Sequence, residues 1–147
     1  MGKEIDLLVN YPKSNRDLKD RANNKSEEDR AIARQFGKDF FDGDRKHGYG
    51  GFSYNPRFWS KVVPSFEKYW NLNSSNSLLD VGCAKGFMLN DFKRLIKGLR
   101  IKGVDISKYA IDNSMEEVKN FLSVGDAKKL NFKNNEFDYV ISINTVH

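Results

Sequence analysis

Cysteine and histidine are scarce in this chain of 147 residues, which contains one cysteine and two histidines. Because a disulfide needs two thiols, Cys83 cannot form one within the chain, and a reducing, cytoplasmic setting fits that composition. Together with His47 and His147, it supplies too few ligands for a zinc site of the usual kind. No metal is therefore expected.

Long apolar runs are also missing. No stretch approaches the length of about 20 apolar residues that a membrane-spanning helix needs. The first six residues do not resemble a secretory signal. The chain is therefore expected to have no membrane partner.

Positive charge exceeds negative charge only slightly, with 25 Lys and Arg residues against 20 Asp and Glu residues. The basic residues are scattered among acids, which favours a solvated surface over a nucleic-acid interface. Five basic residues lie close together in sequence, around the end of a predicted helix and the start of a predicted strand: Lys93, Arg94, Lys97, Arg100 and Lys102.

Residues 1–76 are predicted to form an N-terminal extension of an arm, helices and a loop. The apolar patch at residues 5–11 suggests that the otherwise polar arm docks on the protein. Ser26 precedes three acidic residues, which favours a helix N-terminus. Ile32, Phe36 and Phe40 then recur every four residues, so one buried helical face is expected up to Gly43.

An aromatic and glycine-rich segment follows at residues 44–59, and its composition is typical of a functional loop. Asn55 and Pro56 resemble the start of a second helix, which Pro64 would restart or kink. Helical spacing also predicts that four apolar residues of this helix belong to the core: Trp59, Val63, Phe66 and Trp70.

From residue 77 onward, short apolar runs alternate with helical periods. Ser107 is expected to cap the second of these helices, and Gly98 to end the first. This alternation is typical of an α/β fold, here a Rossmann-like parallel sheet with helices on both faces. The predicted strands are 77–81, 100–105, 120–125 and 137–143, and the predicted helices are 86–97 and 107–119.

The first strand runs into a glycine-bearing turn, Asp80-Val81-Gly82-Cys83-Ala84-Lys85-Gly86. Glycine allows positive φ angles and a close approach to a ligand, and the next helix begins with free amides. In an open parallel sheet, this turn lies in the crevice where ligands bind. Since Gly82 and Gly86 are four residues apart, with Ala84 between them, the spacing does not fit the Gly-x-Gly-x-x-Gly pattern of dinucleotide-binding enzymes.

The turn resembles the first motif of class I S-adenosylmethionine (SAM)-dependent methyltransferases, acid-x-Gly-x-Gly-x-Gly, matched by Asp80, Gly82 and Gly86. Ala84 replaces the middle glycine, and a slightly tighter loop with retained binding is expected. The resemblance covers residues 77–147 and implies SAM as the cofactor. It also implies a sheet of seven strands in the order 3-2-1-4-5-7-6, of which this sequence supplies the first four.

The resemblance assigns cofactor contacts to the ends of the second and third strands. Asp105 would accept hydrogen bonds from the ribose hydroxyls, with Ile106 beside it. Asp126 would accept from the adenine amino group, and the Ala127 amide would meet a ring nitrogen. The alternatives are purely structural roles, a helix cap for Asp105 and an ordinary turn for Asp126.

The end of the fourth strand is where the family holds the methionine part of SAM beside the acceptor. Asn144 is therefore expected to contact the cofactor. His147 is a candidate general base, because imidazole titrates near neutral pH. A packing or surface role is the alternative for His147. Cys83 has no histidine beside it in sequence and is not expected to be a nucleophile.

Segments before the first strand often fold over the cofactor in methyltransferases of this kind. Tyr49 and Tyr54 are therefore candidates for lining a lid, and an aromatic packing cluster is the alternative. The division expected is an extension at residues 1–76 and an incomplete SAM-binding core at 77–147. Its open strand edge suggests truncation or pairing with another molecule, for instance a second copy.

The function expected from these features is methyl transfer from SAM to a small-molecule acceptor. Methylation of RNA or protein is the second possibility, since the modest positive charge permits it. A non-catalytic nucleotide-binding or assembly module is the third.

Overall fold

A computed structural model describes residues 2–14 and 24–145 of the chain. Within these residues the α-helices are α1 (Glu27–Ala33), α2 (Lys38–Asp42), α3 (Val63–Trp70), α4 (Phe87–Leu95) and α5 (Lys108–Asp112). The strands are β1 (Ser77–Val81), β2 (Arg100–Asp105), β3 (Leu122–Val124) and β4 (Tyr139–Ile141), and a short 3₁₀ helix, Lys119–Phe121, precedes β3. No helix of this part of the chain is both long and apolar enough to cross a membrane.

The four strands form one parallel sheet in the order β3-β2-β1-β4. The order agrees with the first four strands of the predicted topology. Strands β1 and β2 have the predicted bounds, whereas β3 and β4 are shorter than predicted. The α/β, Rossmann-like fold class is thus confirmed, and the carboxyl ends of all four strands meet at one edge of the sheet.

One face of the sheet carries the main hydrophobic core. Leu78 of β1 and Ile101 of β2 are paired neighbours on this face, and both are buried. Helices α3, α4 and α5 pack here through the buried side chains of Phe66, Phe92 and Ile111. The period-2 alternation of a strand therefore directs every second residue of β1 and β2 into this core.

The opposite face is covered differently. Leu79, Val81 and Val104 pack against Phe132 and Phe137. Both phenylalanines belong to the connection between β3 and β4, residues 125–138, which is a loop without a helix. On this face the helix cover expected from sequence is replaced by loop side chains.

The predicted helix through Ile32, Phe36 and Phe40 is interrupted. Phe36 has a φ of 49°, in the left-handed region that ends a helix, and Gly37 then caps α2. The Phe36 carbonyl accepts a hydrogen bond from the Ser107 hydroxyl, which binds this break to the start of α5. The prediction of one continuous helix was wrong because a tertiary hydrogen bond stabilises the break.

The second helix begins later than Asn55 and Pro56 suggest. Residues 56–62 form turns, and α3 starts at Val63 with Pro64 in its first turn. Proline suits this position because the first helical amides need no intrahelical partner. Val63 and Phe66 are buried as predicted, and Trp59 and Trp70 pack against the core.

Helix α5 is capped by the Ser107 side chain, as predicted, but it is much shorter than the predicted 107–119. Further along, the amide of Met115 donates to the carbonyl of Lys85 in the glycine turn. A tertiary backbone hydrogen bond here takes the place of a helical one.

The arm docks as the sequence suggested. Leu7 and Tyr11 pack against the main core, and the Tyr11 ring lies 5.0 Å from the Trp59 ring. Residue 1 and residues 15–23 lie outside the described part of the chain.

Candidate functional site

A cavity of about 490 Å³ opens at the carboxyl ends of the strands. Its walls come from the glycine turn, the ends of β1, β2 and β3, the segment after β4 and the N-terminal extension. The lining residues are Phe36, Phe40, Phe41, Tyr49, Val81, Gly82, Ala84, Val104, Asp105, Ile106, Gly125, Asp126, Ala127, Lys128, Ile143, Asn144 and Thr145. Segments far apart in sequence thus share one concave site.

The glycine turn contributes bare backbone to this cavity. Gly82 has a φ of 86°, and a Cβ atom added there would overlap the side chain of Thr145. Ala84 has a φ of 49°, so a non-glycine residue occupies the left-handed conformation that the middle glycine of the motif would adopt. The substitution therefore places some backbone strain in the turn.

Three amides of the turn are bonded within the protein. Gly82 and Cys83 donate to the carbonyl of Val104 at 2.7 Å and 3.0 Å. The Ala84 amide donates to Asp105 Oδ2 at 2.8 Å. Because these donors are occupied, the turn offers a ligand a close approach to its backbone rather than an amide cradle.

Asp105 lies at the end of β2 with both carboxylate oxygens engaged. Oδ2 accepts from the Ala84 amide, and Oδ1 accepts from the Ser107 amide at 2.8 Å. Each carboxylate oxygen has two lone pairs. The fixed carboxylate therefore keeps further acceptor capacity for a ligand in the cavity.

Asp80 and Gly86 do not line the cavity. Asp80 is 3% exposed, and its burial together with the nearby charge of Asp105 raises its pKa to about 7. Gly86 begins α4 with a φ of 78° and faces Leu122 and Val118. Both residues support the turn from behind.

Asp126, Ala127 and Asn144 are all brought to the same cavity as Asp105. The amide of Lys128 donates to Asp126 Oδ1 at 2.9 Å, which holds the carboxylate in a tight turn after β3. Asn144 has a φ of 56° in the segment after β4. The residues predicted at three separate strand ends therefore line one cavity, and Ile106 lines it as well.

The N-terminal extension forms an aromatic wall, defined here as Phe36, Phe40, Phe41 and Tyr49, on the side of the cavity formed by the extension. The sequence predictions included Tyr49 but assigned Phe36 and Phe40 to a buried helix face and did not mention Phe41. Three phenylalanines within six residues, directly before the aromatic loop, are the signal that could have found the wall.

Tyr54 lies elsewhere. Its hydroxyl donates a 2.6 Å hydrogen bond to Asp91, whose side chain is fully buried in α4. The expectation that Tyr54 lines a lid was wrong because this buried carboxylate binds its hydroxyl away from the cavity.

Cys83 and His147 are the remaining candidates from the sequence. Cys83 is buried, and burial followed by the charges of Asp80 and Asp105 raises the pKa of its thiol, which keeps it protonated and unreactive. His147 lies outside the described residues, so its role as a base stays a prediction.

Comparison with solved structures supports the fold. A structure from Methanococcus maripaludis, described as an S-adenosyl-L-methionine-dependent methyltransferase, is 13% identical, with 59% of this chain and 42% of that chain covered and a TM-score of 0.52. YjhP from E. coli is 17% identical, with 76% and 44% covered and a TM-score of 0.52. Haemonchus contortus phosphoethanolamine N-methyltransferase 2, in complex with S-adenosyl-L-methionine, is 22% identical, with 90% and 30% covered and a TM-score of 0.50.

This chain thus spans less than half the length of these structures. No curated protein matches it. Residues 79–147 match the family described as "Methyltransferase domain". The match begins at β1 and includes the glycine turn, Asp105, Asp126 and Asn144. The match and the strand order together support a class I methyltransferase domain with S-adenosylmethionine as its cofactor, of which residues 79–147 would be the N-terminal part.

Proposed function

We propose that the cavity at the carboxyl ends of the strands binds SAM and that the whole protein transfers its methyl group to a small-molecule acceptor. The observation that carries this proposal is the convergence of Asp105, Asp126 and Asn144 on one cavity beside the glycine turn. These residues end or follow three different strands, and all three belong to the lining of the one cavity.

The cavity suits an adenosyl ligand in size and chemistry. Its volume of about 490 Å³ lies within the range of small-molecule sites. Gly82 and Ala84 present backbone to the cavity, and two carboxylates provide acceptors for hydroxyl and amino groups. Val81, Val104 and Ile106 add an apolar surface for a flat ring.

The proposed roles follow the family resemblance. Asp105 accepts from the ribose hydroxyls through its remaining lone pairs, and Ile106 packs against the adenine. Asp126 accepts from the adenine amino group, and the Ala127 amide donates to the ring. Asn144 holds the methionine end.

The cofactor supplies a methyl group already activated by its sulfonium. The protein then has to orient the acceptor, exclude water and, for a hydroxyl acceptor, remove a proton. The aromatic wall supplies an apolar surface that limits access of water to the cavity. His147 remains our proposed base for a hydroxyl acceptor.

A small acceptor is favoured over RNA because of where the basic residues lie. Arg100 begins β2 and Asp105 ends it, so these two residues are about 16 Å apart along the strand. Arg94, near the end of α4, forms an ion pair with Asp91. These two basic residues therefore lie toward the end of the sheet opposite the cavity, whose lining includes a single cation, Lys128.

Titration calorimetry with SAM tests the proposal. The wild-type chain should bind SAM, and Asp105→Ala and Asp126→Ala should each weaken binding about tenfold or more, because each removes a charge-assisted hydrogen bond worth roughly 1.5–3 kcal/mol. Asp112→Asn, at an exposed carboxylate in α5, is the matched control and should bind as wild type. A folded wild-type chain that binds no SAM would contradict the proposal.

Two further expectations belong to this proposal. The buried, free thiol of Cys83 fits a cytoplasmic setting.

The edge of β4 away from β1 has no partner strand among residues 2–14 and 24–145, and we propose that it pairs with more chain or with a second copy. Light scattering would detect a dimer formed through this edge. In a separate assay, SAM binding without methyl transfer by the full-length protein would favour a non-catalytic module.

A further inference from the structure

Lys85 lies inside the glycine turn, and its ammonium group points away from solvent. The side chain is 9% exposed. Its Nζ donates to Asp42 Oδ2 at 2.7 Å and to the carbonyl of Phe52 at 2.8 Å. The rings of Phe52 and Tyr109 each lie with their centroid 5.9 Å from the same nitrogen.

Asp42 is the hub of this cluster. Besides Lys85, it accepts from the Phe52 amide at 2.9 Å and from the Tyr109 hydroxyl at 2.7 Å. Burial raises the pKa of Asp42, but the hydrogen bonds from Lys85, Phe52 and Tyr109 outweigh that effect and hold the pKa below its usual value. The carboxylate is therefore charged and fully engaged at neutral pH.

The pair connects two walls of the cavity without lining it. On one side, Lys85 directly follows Ala84, which lines the cavity. On the other side, Asp42 ends α2, which carries Phe40 and Phe41 of the aromatic wall. Phe52 extends the connection to Tyr49, since the two rings lie 4.2 Å apart.

Stability alone is a weak reason for such a pair. Lys85 is buried and Asp42 is 27% exposed, and the cost of taking such charges out of water offsets much of their attraction, so replacing both by apolar residues is often neutral. What an apolar pair cannot reproduce is the set of directed bonds that joins the glycine turn to the end of α2 and to Phe52. Geometry, rather than net stability, is then the property that depends on the charges.

We propose that Lys85 and Asp42 are positioning residues that hold the aromatic wall against the glycine turn, so that SAM affinity depends on them although neither contacts the cavity. This inference rests on the proposed function. It extends the cofactor site into residues 36–54 of the N-terminal extension, which precede the segment matched by the methyltransferase family.

The test compares three variants of the full chain: Lys85→Met, Asp42→Asn and the double variant Asp42→Leu/Lys85→Met. Calorimetry measures the Kd for SAM, and urea unfolding measures stability. We expect each variant to raise the Kd about tenfold or more. The double variant should regain much of the stability that the single variants lose, because no unpaired charge remains, yet its Kd should stay high. Lys85→Arg, which keeps the charge and donors, should restore part of the affinity.

Lys108→Met is the matched control, because it removes a lysine from an exposed ion pair with Asp112 in α5. Its Kd should equal that of the wild type. A folded double variant with wild-type affinity would overturn the proposal, and so would affinity that follows stability in every variant.

A second readout does not require SAM. Arg45 and Lys46 are exposed trypsin sites within the segment that the pair holds. Cleavage after them should be several-fold faster in Lys85→Met and in the double variant than in the wild type or Lys108→Met. Unchanged cleavage would overturn the positioning role. A wild-type chain that fails to bind SAM but shows the expected cleavage pattern would instead contradict only the proposed function.

Discussion

The amide of Ala84 donates a 2.8 Å hydrogen bond to the carboxylate of Asp105, which joins the glycine turn after β1 to the end of β2. Ala84 itself has a φ of 49°. The same residue is the one that departs from the family motif. The turn is thus fixed by a carboxylate that is also a proposed ligand for ribose, so changes to Asp105 should affect both stability and binding.

Ala84→Gly should leave SAM affinity unchanged and alter stability by less than about 1 kcal/mol, since relief of strain offsets the greater freedom of glycine in the unfolded chain. Ala84→Val should destabilise the protein by about 1–3 kcal/mol, because a β-branched residue strongly disfavours positive φ. Urea unfolding measures both. A valine variant as stable as the glycine variant would show that the φ angle is not a constraint.

Gly82→Ala should lower both stability and SAM affinity. Its Cβ would overlap Thr145, and its φ of 86° disfavours any side chain. The expected loss of stability is about 1–3 kcal/mol. Gly125→Ala is the control for stability, because an added Cβ there meets Val104 at an ordinary distance of 3.7 Å. The double variant Gly82→Ala/Thr145→Ala should recover part of the loss. Equal stabilities of the two glycine variants would contradict the close approach.

Asp80 should make stability fall as the pH rises. Its pKa is about 7 in the folded protein, against about 3.9 in an unfolded chain, so the folded state holds the extra proton between these values. The free energy of unfolding should therefore decrease between about pH 4 and pH 7, by up to about 1.4 kcal/mol per pH unit.

Asp80→Asn should remove this dependence, because the amide does not titrate. Urea unfolding at about pH 5 and about pH 8 measures it, with Asp112→Asn, at an exposed site, as the control. If wild type and Asp80→Asn show the same pH profile, Asp80 is already ionised in the folded state.

Ser26→Ala should destabilise α1 by about 1 kcal/mol, through loss of the capping box with Asp29. Hydrogen bonds from the Ser26 side chain and backbone lower the pKa of Asp29 to about 2. The part of the stabilisation that comes from the Asp29 carboxylate is therefore complete above about pH 4 and is lost as the pH falls through about 2. Circular dichroism during urea unfolding measures the change, with Ser53→Ala at an exposed position as the control. A loss that is the same at acid and neutral pH would contradict the role of the Asp29 charge.

Tyr54→Phe and Tyr49→Ala should separate stability from binding. Tyr54→Phe removes the hydroxyl that donates to the buried Asp91, so it should cost about 1–3 kcal/mol of stability and leave the Kd for SAM unchanged. Tyr49→Ala removes part of the cavity wall, so it should weaken SAM binding more than it affects stability. Calorimetry and urea unfolding together test the difference, and a reversed pattern would place Tyr54 in the site.

Local patterns in the sequence were sufficient for the sheet and, together with the family resemblance, for much of the proposed cofactor site. The alternation of strands and helices, the glycine turn, and the acids after β2 and β3 are features of short segments whose relative placement follows from a parallel sheet. Strand ends of such a sheet share one edge, so Asp105 and Asp126 had to lie near Gly82 once the order of the strands was known.

Only the tertiary structure decided how the N-terminal extension is used. The break at Phe36 depends on a hydrogen bond from Ser107, which is 71 residues away. Lys85 and Asp42, 43 residues apart, join the glycine turn to the helix that carries Phe40 and Phe41. Burial and hydrogen bonding between distant segments leave no periodic signal in the sequence, because each partner looks like an ordinary polar residue until the fold brings the two together.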